Sequence, residues 1–286
     1  MRTVDPSVVQ SLIEEIAATE IMPRFCRLEG HDIEMKGVDD PVTVADKAAE
    51  TLLTRRLKEL LPGSEVVGEE CCHSDPSILT HFSGDGAVWV IDPVDGTHNF
   101  IAGRREFGVM VALVRDKQTV ASWIHDPNTG HTLSAELGSG AWLAGEKVRL
   151  AGHDPSVRRL LLLGSRIRNI LAKPDVAPLI ACLPALAIGS AVAFDYARLF
   201  SGETLFANSK APRATALLYR TAKPWDHVPG LLLHSEAGGY AADLSGLPYN
   251  REKGRRGLLV AADEAVWNEL YAVIKQVIRE LIRADS

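Results

Sequence analysis

The sequence predicts an α+β first half and an α/β second half, and three observations carry that prediction. Runs of helical periodicity precede a series of short β-type runs up to about residue 150. Beyond about Asp154, strand-like and helix-like runs alternate, the pattern of a sheet crossed by helices. No internal repeat or low-complexity linker divides the 286 residues, so the halves 1–153 and 154–286 are expected to share an interface. Small-molecule clefts often form at such junctions.

The elements follow in order. Residues 7–29 are expected to form an amphipathic helix, because Val8, Val9, Leu12, Ile13, Ile16 and Ala17 recur at helical spacing. A second helix is expected from Thr43 to Leu61, where Pro62-Gly63 stops it. The apolar runs Val66-Val67 and Ala87–Ile91 read as buried strands. Between Phe107 and Leu150, the runs Val109–Val114, Thr119–Ile124 and Thr132–Ala135 are broken by turn-forming clusters such as Pro127-Asn128-Thr129-Gly130, as in an antiparallel meander. In the second half, strands are expected at Leu160–Leu163, Ala185–Ile188, Ala216–Tyr219 and Gly257–Ala261. Helices are expected at Val176–Cys182, at Ser190–Phe200, from Trp225 to the Gly238-Gly239 pair, and at Glu264–Arg283.

The run Ala87–Ile91 ends in Asp92-Pro93-Val94-Asp95-Gly96-Thr97. Carboxylates are hard oxygen ligands, the type that binds Mg²⁺ with several waters retained. A helix starting after Gly96 would turn free N–H groups toward the same point and seat an anion there. The plainer reading is an Asp-Pro turn after a strand, and on this segment alone the two readings are even. Two distant acidic segments shift the balance. Gly68-Glu69-Glu70 stands at a strand end, and Asp226 stands in the first turn of the helix that begins near Trp225. Taken singly, the first is a solvated acidic loop and the second a capping residue.

Together these segments, with Glu236-Ala237-Gly238-Gly239 closing the helix that begins near Trp225, resemble the inositol monophosphatase family of Mg²⁺-dependent phosphatases. Asp40–Lys47 resembles a fourth segment of that family, and Lys36 stands where the family usually has a lysine. The resemblance implies a layered α/β/α/β/α sandwich and a homodimer. It also implies hydrolysis of a small phosphorylated metabolite by a metal-activated water. Roughly two to three Mg²⁺ ions per subunit are implied. One would be held by Glu69, Asp92 and the main-chain carbonyl of Val94, and another by Asp92, Asp95 and Asp226, with Asp92 bridging. A third, weaker ion would lie near Glu69. Most of these ligands fall in the first half. Thr97 would hydrogen-bond the water, Asp46 would accept from the Thr97 hydroxyl, and Glu70 would support the ligands from behind. Asp95, Gly96, Thr97 and Asp226 would border the substrate, with the Gly96 and Thr97 N–H groups receiving phosphate oxygens. Lys36 either adds positive charge or is an ordinary surface lysine. His98, His227 and His234 lie near these segments, and packing or a local hydrogen bond is the favoured reading of each.

The alcohol side of the pocket departs from the family. Gly189-Ser190-Ala191 resembles its Gly-Thr/Ser-Ala turn, which faces the substrate's alcohol portion. Inositol-specific members carry a glutamate seven residues before the last metal aspartate, where this chain has Tyr219, followed by Arg220. An apparent insertion from Asn208 to Ala214 carries Lys210 and Arg213. The expectation is a pocket that prefers a flat or anionic substrate to bare inositol phosphates. Sugar, polyol and histidinol phosphates are candidates. A 3′(2′),5′-bisphosphate nucleotidase, a fructose-1,6-bisphosphatase-like activity or a regulatory protein on the same scaffold are the alternatives.

Composition narrows the class further. Hydrophobic content of 46% and charged content of 24% are those of a globular protein, and the net charge of −6 argues against a nucleic-acid binder. No apolar run reaches membrane-spanning length, and Met1–Pro6 lacks the core of a signal peptide, so a cytoplasmic location is expected. Cys26, Cys71, Cys72 and Cys182 show neither disulfide-framework nor zinc spacing, and Cys71-Cys72 reads as a pair of ordinary thiols in the loop after Glu70. The absence of EF-hand spacing weighs against a Ca²⁺ module.

Overall fold

Helix α1 (Pro6–Ile16) starts at Asp5, whose carboxylate accepts the Ser7 N–H at 2.9 Å, and it buries Val9, Leu12, Ile13 and Ile16 on one face. In this computed structural model, which describes residues 4–150, 160–164, 167, 185–200, 206, 213–251 and 257–283, the helix expected over 7–29 does not continue as one piece. It widens into a π turn over Ala17–Ile21, tightens to 3₁₀ over Met22–Arg24, and becomes extended at Phe25. Pro23 is the physical reason, since it lacks an N–H and its ring crowds the preceding turn. A hairpin of β1 (Ile33–Gly37) and β2 (Asp40–Thr43) leads into α2 (Val44–Leu60).

The first sheet runs β3 (Glu65–Gly68), β4 (Ala87–Asp95), β5 (Gly108–Arg115), β6 (Gln118–Asp126), β7 (His131–Glu136), β8 (Gly140–Leu143) and β9 (Glu146–Val148), in spatial as in chain order. From β4 onward it is the expected antiparallel meander, but β3 pairs with β4 in parallel, so the sheet is mixed at that edge. Short helices α3 (Glu69–Ser74) and α4 (Thr97–Ile101) follow β3 and β4. Cys71 and Cys72 therefore lie in a helix rather than a loop.

The second sheet is built from β10 (Leu160–Leu163), β11 (Ala185–Ile188), β12 (Ala216–Tyr219), β13 (Tyr240–Ala242) and β14 (Leu258–Ala261), in the order β11-β10-β12-β14-β13. Three neighbours are parallel, and β14 runs antiparallel to both of its partners. Its helices are α5 (Val192–Ala197), shorter than the expected Ser190–Phe200, then α6 (Pro224–Glu236) and α7 (Glu264–Arg283). The expected helix Val176–Cys182, most of the Asn208–Ala214 insertion including Lys210, and the 153/154 boundary lie outside the described residues.

Strand parity sorts the core into layers. On one face of the first sheet Trp89, Ile91, Val109 and Val111 pack with α1 and α2. On the other, Met110, Ile124 and Leu133 meet Phe194 and Tyr196 of α5 and Leu232 and Leu233 of α6, which also cover Leu160, Leu162, Leu217 and Val260 of the second sheet. The outer face of that sheet, Leu161, Leu163, Leu218 and Leu259, packs on Trp267, Leu270 and Ile274 of α7. The order is helix, sheet, helix, sheet, helix. Among the described residues no helix is long and apolar enough to cross a membrane.

Candidate active site

Residues three apart on a regular strand face opposite ways. Asp92 and Asp95 escape that rule because β4 slips against β5: Asp92 lies opposite Met110 and Asp95 opposite Gly108, three residues of β4 against two of β5. Pro93-Val94 forms the resulting bulge, where a missing N–H does least harm. Both carboxylates then line one cleft of about 210 Å³. Gly96 follows with φ +92, and a Cβ there would stand 2.7 Å from the Glu106 carbonyl oxygen, so only glycine fits.

The cleft collects Glu69, Asp92, Val94, Asp95, Gly96, Thr97, Gly189, Ser190, Ala191, Tyr219 and Asp226, every expected lining residue. Asp46 lies behind it and is reached through Thr97. Its Oδ2 accepts the Thr43 N–H at 2.9 Å as half of a capping box on α2, while its Oδ1 stands 3.1 Å from Thr97 Oγ1. Thr97 Oγ1 is equally 3.1 Å from the Val94 carbonyl oxygen. A hydroxyl has one proton, so these acceptors compete for it.

Charge is concentrated here. Burial first, then the charges of Glu69, Asp95 and Asp226, push the Asp92 carboxyl well above its ordinary range. Burial pushes Asp95 up to about 7, against the pull of the Ala193 N–H that it accepts at 2.7 Å. Asp46 is pushed up to about 7 by burial, opposed by its bonds to Thr43. Lys36 is the counterweight. It is not a surface lysine: its side chain is 5% exposed, with Nζ 2.9 Å from Glu69 Oε1 and 2.7 Å from Glu70 Oε1. Burial opposes its charge, but the two carboxylates overcome that and hold the ammonium above its ordinary range. Lys223 Nζ approaches Glu69 more loosely, at 3.9 Å, and sits over the Trp225 ring.

Sequence reasoning missed two carboxylates. Glu50 of α2, 5% exposed, accepts the N–H groups of Glu70 at 2.9 Å and Cys71 at 2.8 Å, so it fixes the start of α3 and with it the direction of Glu69. An amide at this position would aim a donor at one of those donors. Glu50→Gln is therefore expected to cost about 1–3 kcal/mol, read as a lower melting temperature. A variant that melts with wild type would remove this anchoring role. Asp195 of α5 is the other. It lines the cleft at 2% exposure and accepts from Tyr219 Oη at 2.6 Å and Ser190 N–H at 3.2 Å. Burial pushes it up to about 6, against those two donors. Tyr219, expected to offer a free hydroxyl, has donated it to Asp195, and its ring meets His227 edge-on at 4.6 Å. The only available signal for Asp195 was a lone acid inside the apolar run Ala191–Ala197.

His227 and His234 pack in the core and His98 makes a local hydrogen bond, within the two bland roles expected of them. His227 is fully buried with Nδ1 3.3 Å from Tyr196 Oη, and burial pushes it down to about 3. His234 is buried against Gly239 and pushed down to about 4 by burial, and His98 contacts the Asp39 carbonyl near the surface. Cys72 is buried, and Cys71 Sγ accepts the Gly68 N–H at 3.1 Å.

The donor set fits hard divalent cations. Glu69, Asp92, Asp95, Asp226 and the Val94 carbonyl present oxygen only, and mutual repulsion among the carboxylates is what cations would relieve. Among the described residues no three such side chains already share one coordination point, and Glu69 is turned onto Lys36 instead.

Comparison with known proteins agrees with this geometry. The model of the inositol monophosphatase family matches residues 6–282. The chain is 32% identical to an inositol-1-monophosphatase of Mycobacterium leprae, across 94% of this chain and 92% of that one. It is 29% identical to a histidinol-phosphatase of Chlorobaculum parvum, across 82% and 84%. The fold superposes on the IMPase of Thermotoga maritima with a TM-score of 0.75 at 24% identity, covering 96% and 98% of the two chains. With its family model spanning nearly the whole sequence, the chain belongs to the inositol monophosphatase family and is a phosphoric monoester hydrolase.

Proposed function

We propose that this cleft hydrolyses the phosphomonoester of a small metabolite with Mg²⁺ as its metal, roughly two to three ions per subunit at saturation. The observation that carries the reading is the convergence of Glu69, Asp92, Asp95 and Asp226, from three separate chain segments, on the wall of one cleft. When bound, Mg²⁺ supplies charge neutralisation at the phosphoryl oxygens and acidifies water. Glu69, Asp92, Asp95, Asp226 and the Val94 carbonyl would hold it. Lys36 orients Glu69 and Glu70 through its two ion pairs, and Glu50 anchors the turn that carries them. The N–H groups of Gly96 and Thr97 face the phosphate. With its proton donated to Asp46 Oδ1, 3.1 Å away, the Thr97 hydroxyl would accept a proton from the attacking water through its oxygen. Gly189, Ser190, Ala191 and Tyr219 border the alcohol side.

A homodimer in the cytoplasm, acting without nucleic acid or membrane, completes the reading. The net charge of −6 supports the absence of nucleic acid, and the family likeness supports the dimer. The test is phosphate release from inositol 1-phosphate, histidinol phosphate and p-nitrophenyl phosphate, with Mg²⁺ and then with excess chelator. Release that stops with chelator and returns with Mg²⁺ is expected. Undiminished release in chelator sinks the metal role.

A stability measurement checks the same donor set without turnover. Burial raises Asp95 and Asp46 to about 7 in the fold from the ordinary carboxyl value of 3.8. The native state then holds protons more tightly than the unfolded one. Their stabilising contribution is complete below about pH 3.8 and is lost as pH rises through about 7. Chelated protein is therefore expected to melt progressively lower from about pH 4 to pH 8, and Mg²⁺ to restore most of the loss at pH 8. A melting temperature at pH 8 that ignores Mg²⁺ contradicts this.

A further inference from the structure

We propose that Asp195 is a specificity-determining residue on the alcohol side of the cleft, where it accepts a hydrogen bond from a hydroxyl or ammonium group of the substrate. This rests on the phosphatase reading above and adds the chemistry of the leaving alcohol to it.

The carboxylate is held in place. It is buried on α5, yet it belongs to the cleft wall beside Gly189, Ser190 and Tyr219. Each oxygen has one donor from the protein, Ser190 N–H on Oδ1 and Tyr219 Oη on Oδ2. A carboxylate offers about four acceptor sites, so both oxygens keep capacity for a further donor. The surrounding turn is shaped to this side chain: a Cβ at Gly189 would fall 1.8 Å from Asp195 Oδ2. Burial pushes this carboxyl up to about 6, against the two donors and the Arg198 charge.

Two consequences follow for the substrate. The acceptor on this side of the cleft comes from α5, and the Tyr219 hydroxyl that donates to it orients it. A group placed directly against this carboxylate is favoured when it carries a donor and disfavoured when it carries a negative charge. The expectation of an anionic or flat substrate rests on Tyr219, Arg220, Lys210 and Arg213, and Arg220 does line the cleft; Asp195 adds a preference for a donor-bearing alcohol at its own end of the wall. The shared chemistry is a hydrogen-bond donor, which a polyol supplies as a hydroxyl and an amino alcohol as an ammonium.

The experiment compares three substrates at saturating Mg²⁺: inositol 1-phosphate, histidinol phosphate, and cyclohexyl phosphate, which offers no donor. Wild type is expected to favour at least one donor-bearing substrate over cyclohexyl phosphate by about 10-fold or more in kcat/KM. Asp195→Asn is expected to shrink that ratio by about 10–100-fold. A larger loss with histidinol phosphate identifies an ammonium donor, and a larger loss with inositol 1-phosphate identifies a hydroxyl. Tyr219→Phe, which keeps the carboxylate but removes the donor that orients it, is expected to shrink the ratio less than Asp195→Asn does. A wild-type enzyme indifferent to the missing donor overturns the proposal without any variant, and so does an unchanged ratio in Asp195→Asn. If Tyr219→Phe causes the loss and Asp195→Asn does not, the phenol is the contact and the proposal falls. In each of these cases Mg²⁺-dependent release persists. Failure to release phosphate from any of the three overturns the phosphatase reading along with the proposal.

Discussion

Asp92→Asn is expected to lower kcat by about 10³-fold or more while making the metal-free protein harder to melt. The two effects have one cause. Asp92 is 2% exposed and carries the most crowded carboxylate of the site, raised by burial and by Glu69, Asp95 and Asp226 together. An asparagine keeps the shape and can still accept the Val94 N–H, which Asp92 Oδ1 accepts at 3.1 Å. It removes the negative charge that two cations would share. Without metal, that charge only repels its neighbours, so the variant is expected to gain about 1 kcal/mol or more, a rise of roughly 2–4 °C in melting temperature. With Mg²⁺ the wild type should overtake it, because the variant has lost the binding that stabilises the native state. Melting curves with chelator and with Mg²⁺, alongside phosphate release, measure both halves. Turnover near wild type at saturating Mg²⁺ rules out a shared ligand, and an unstable metal-free variant rules out the repulsion argument.

Much of this site can be read in the sequence, because its chemistry is carried by short ordered motifs. Asp92-Pro93-Val94-Asp95-Gly96-Thr97 announces the carboxylates, and the alternation of runs after Asp154 announces the second sheet. Three-dimensional closeness is what a linear pattern conceals. The bulge that turns Asp92 and Asp95 to one side depends on pairing with Met110 and Gly108, and strand alternation alone places the two aspartates on opposite faces. Lys36 stands between exposed Met35 and Gly37 on a hairpin strand, so only the approach of Glu69 and Glu70 makes it an inward-facing residue. Glu50 adjoins Thr51 on a helix of modest amphipathicity, and its burial comes from α3 folding over it. The π turn after Ile16 keeps apolar residues at nearly helical spacing, so periodicity does not register it, although Pro23 marks where regular helix must end. Tyr219 reads as an aromatic wall until Asp195, 24 residues earlier, takes its hydroxyl.

Thr97→Val is expected to lower kcat by about 10²–10⁴-fold with little change in KM, and with no loss of the Mg²⁺-induced rise in melting temperature. Valine matches threonine in volume and removes only the hydroxyl, the atom placed 3.1 Å from both Asp46 Oδ1 and the Val94 carbonyl. The proposed proton path runs from water to Thr97 and relies on Asp46 as an ionised acceptor. Asp46 is pushed up to about 7 by burial, so without metal it would be half protonated near neutrality. Cations at the neighbouring carboxylates lower that value, so kcat is expected to fall as pH drops below neutrality, more steeply at low Mg²⁺. Asp46→Asn should flatten that acidic limb as well as slow the reaction. The double variant separates a shared path from two independent defects. If Thr97 and Asp46 act in series, Thr97→Val with Asp46→Asn should be scarcely slower than the worse single variant. Fully multiplicative losses would mean that Asp46 acts only as the cap of α2, through its bond to the Thr43 N–H, and that the hydroxyl of Thr97 works without it.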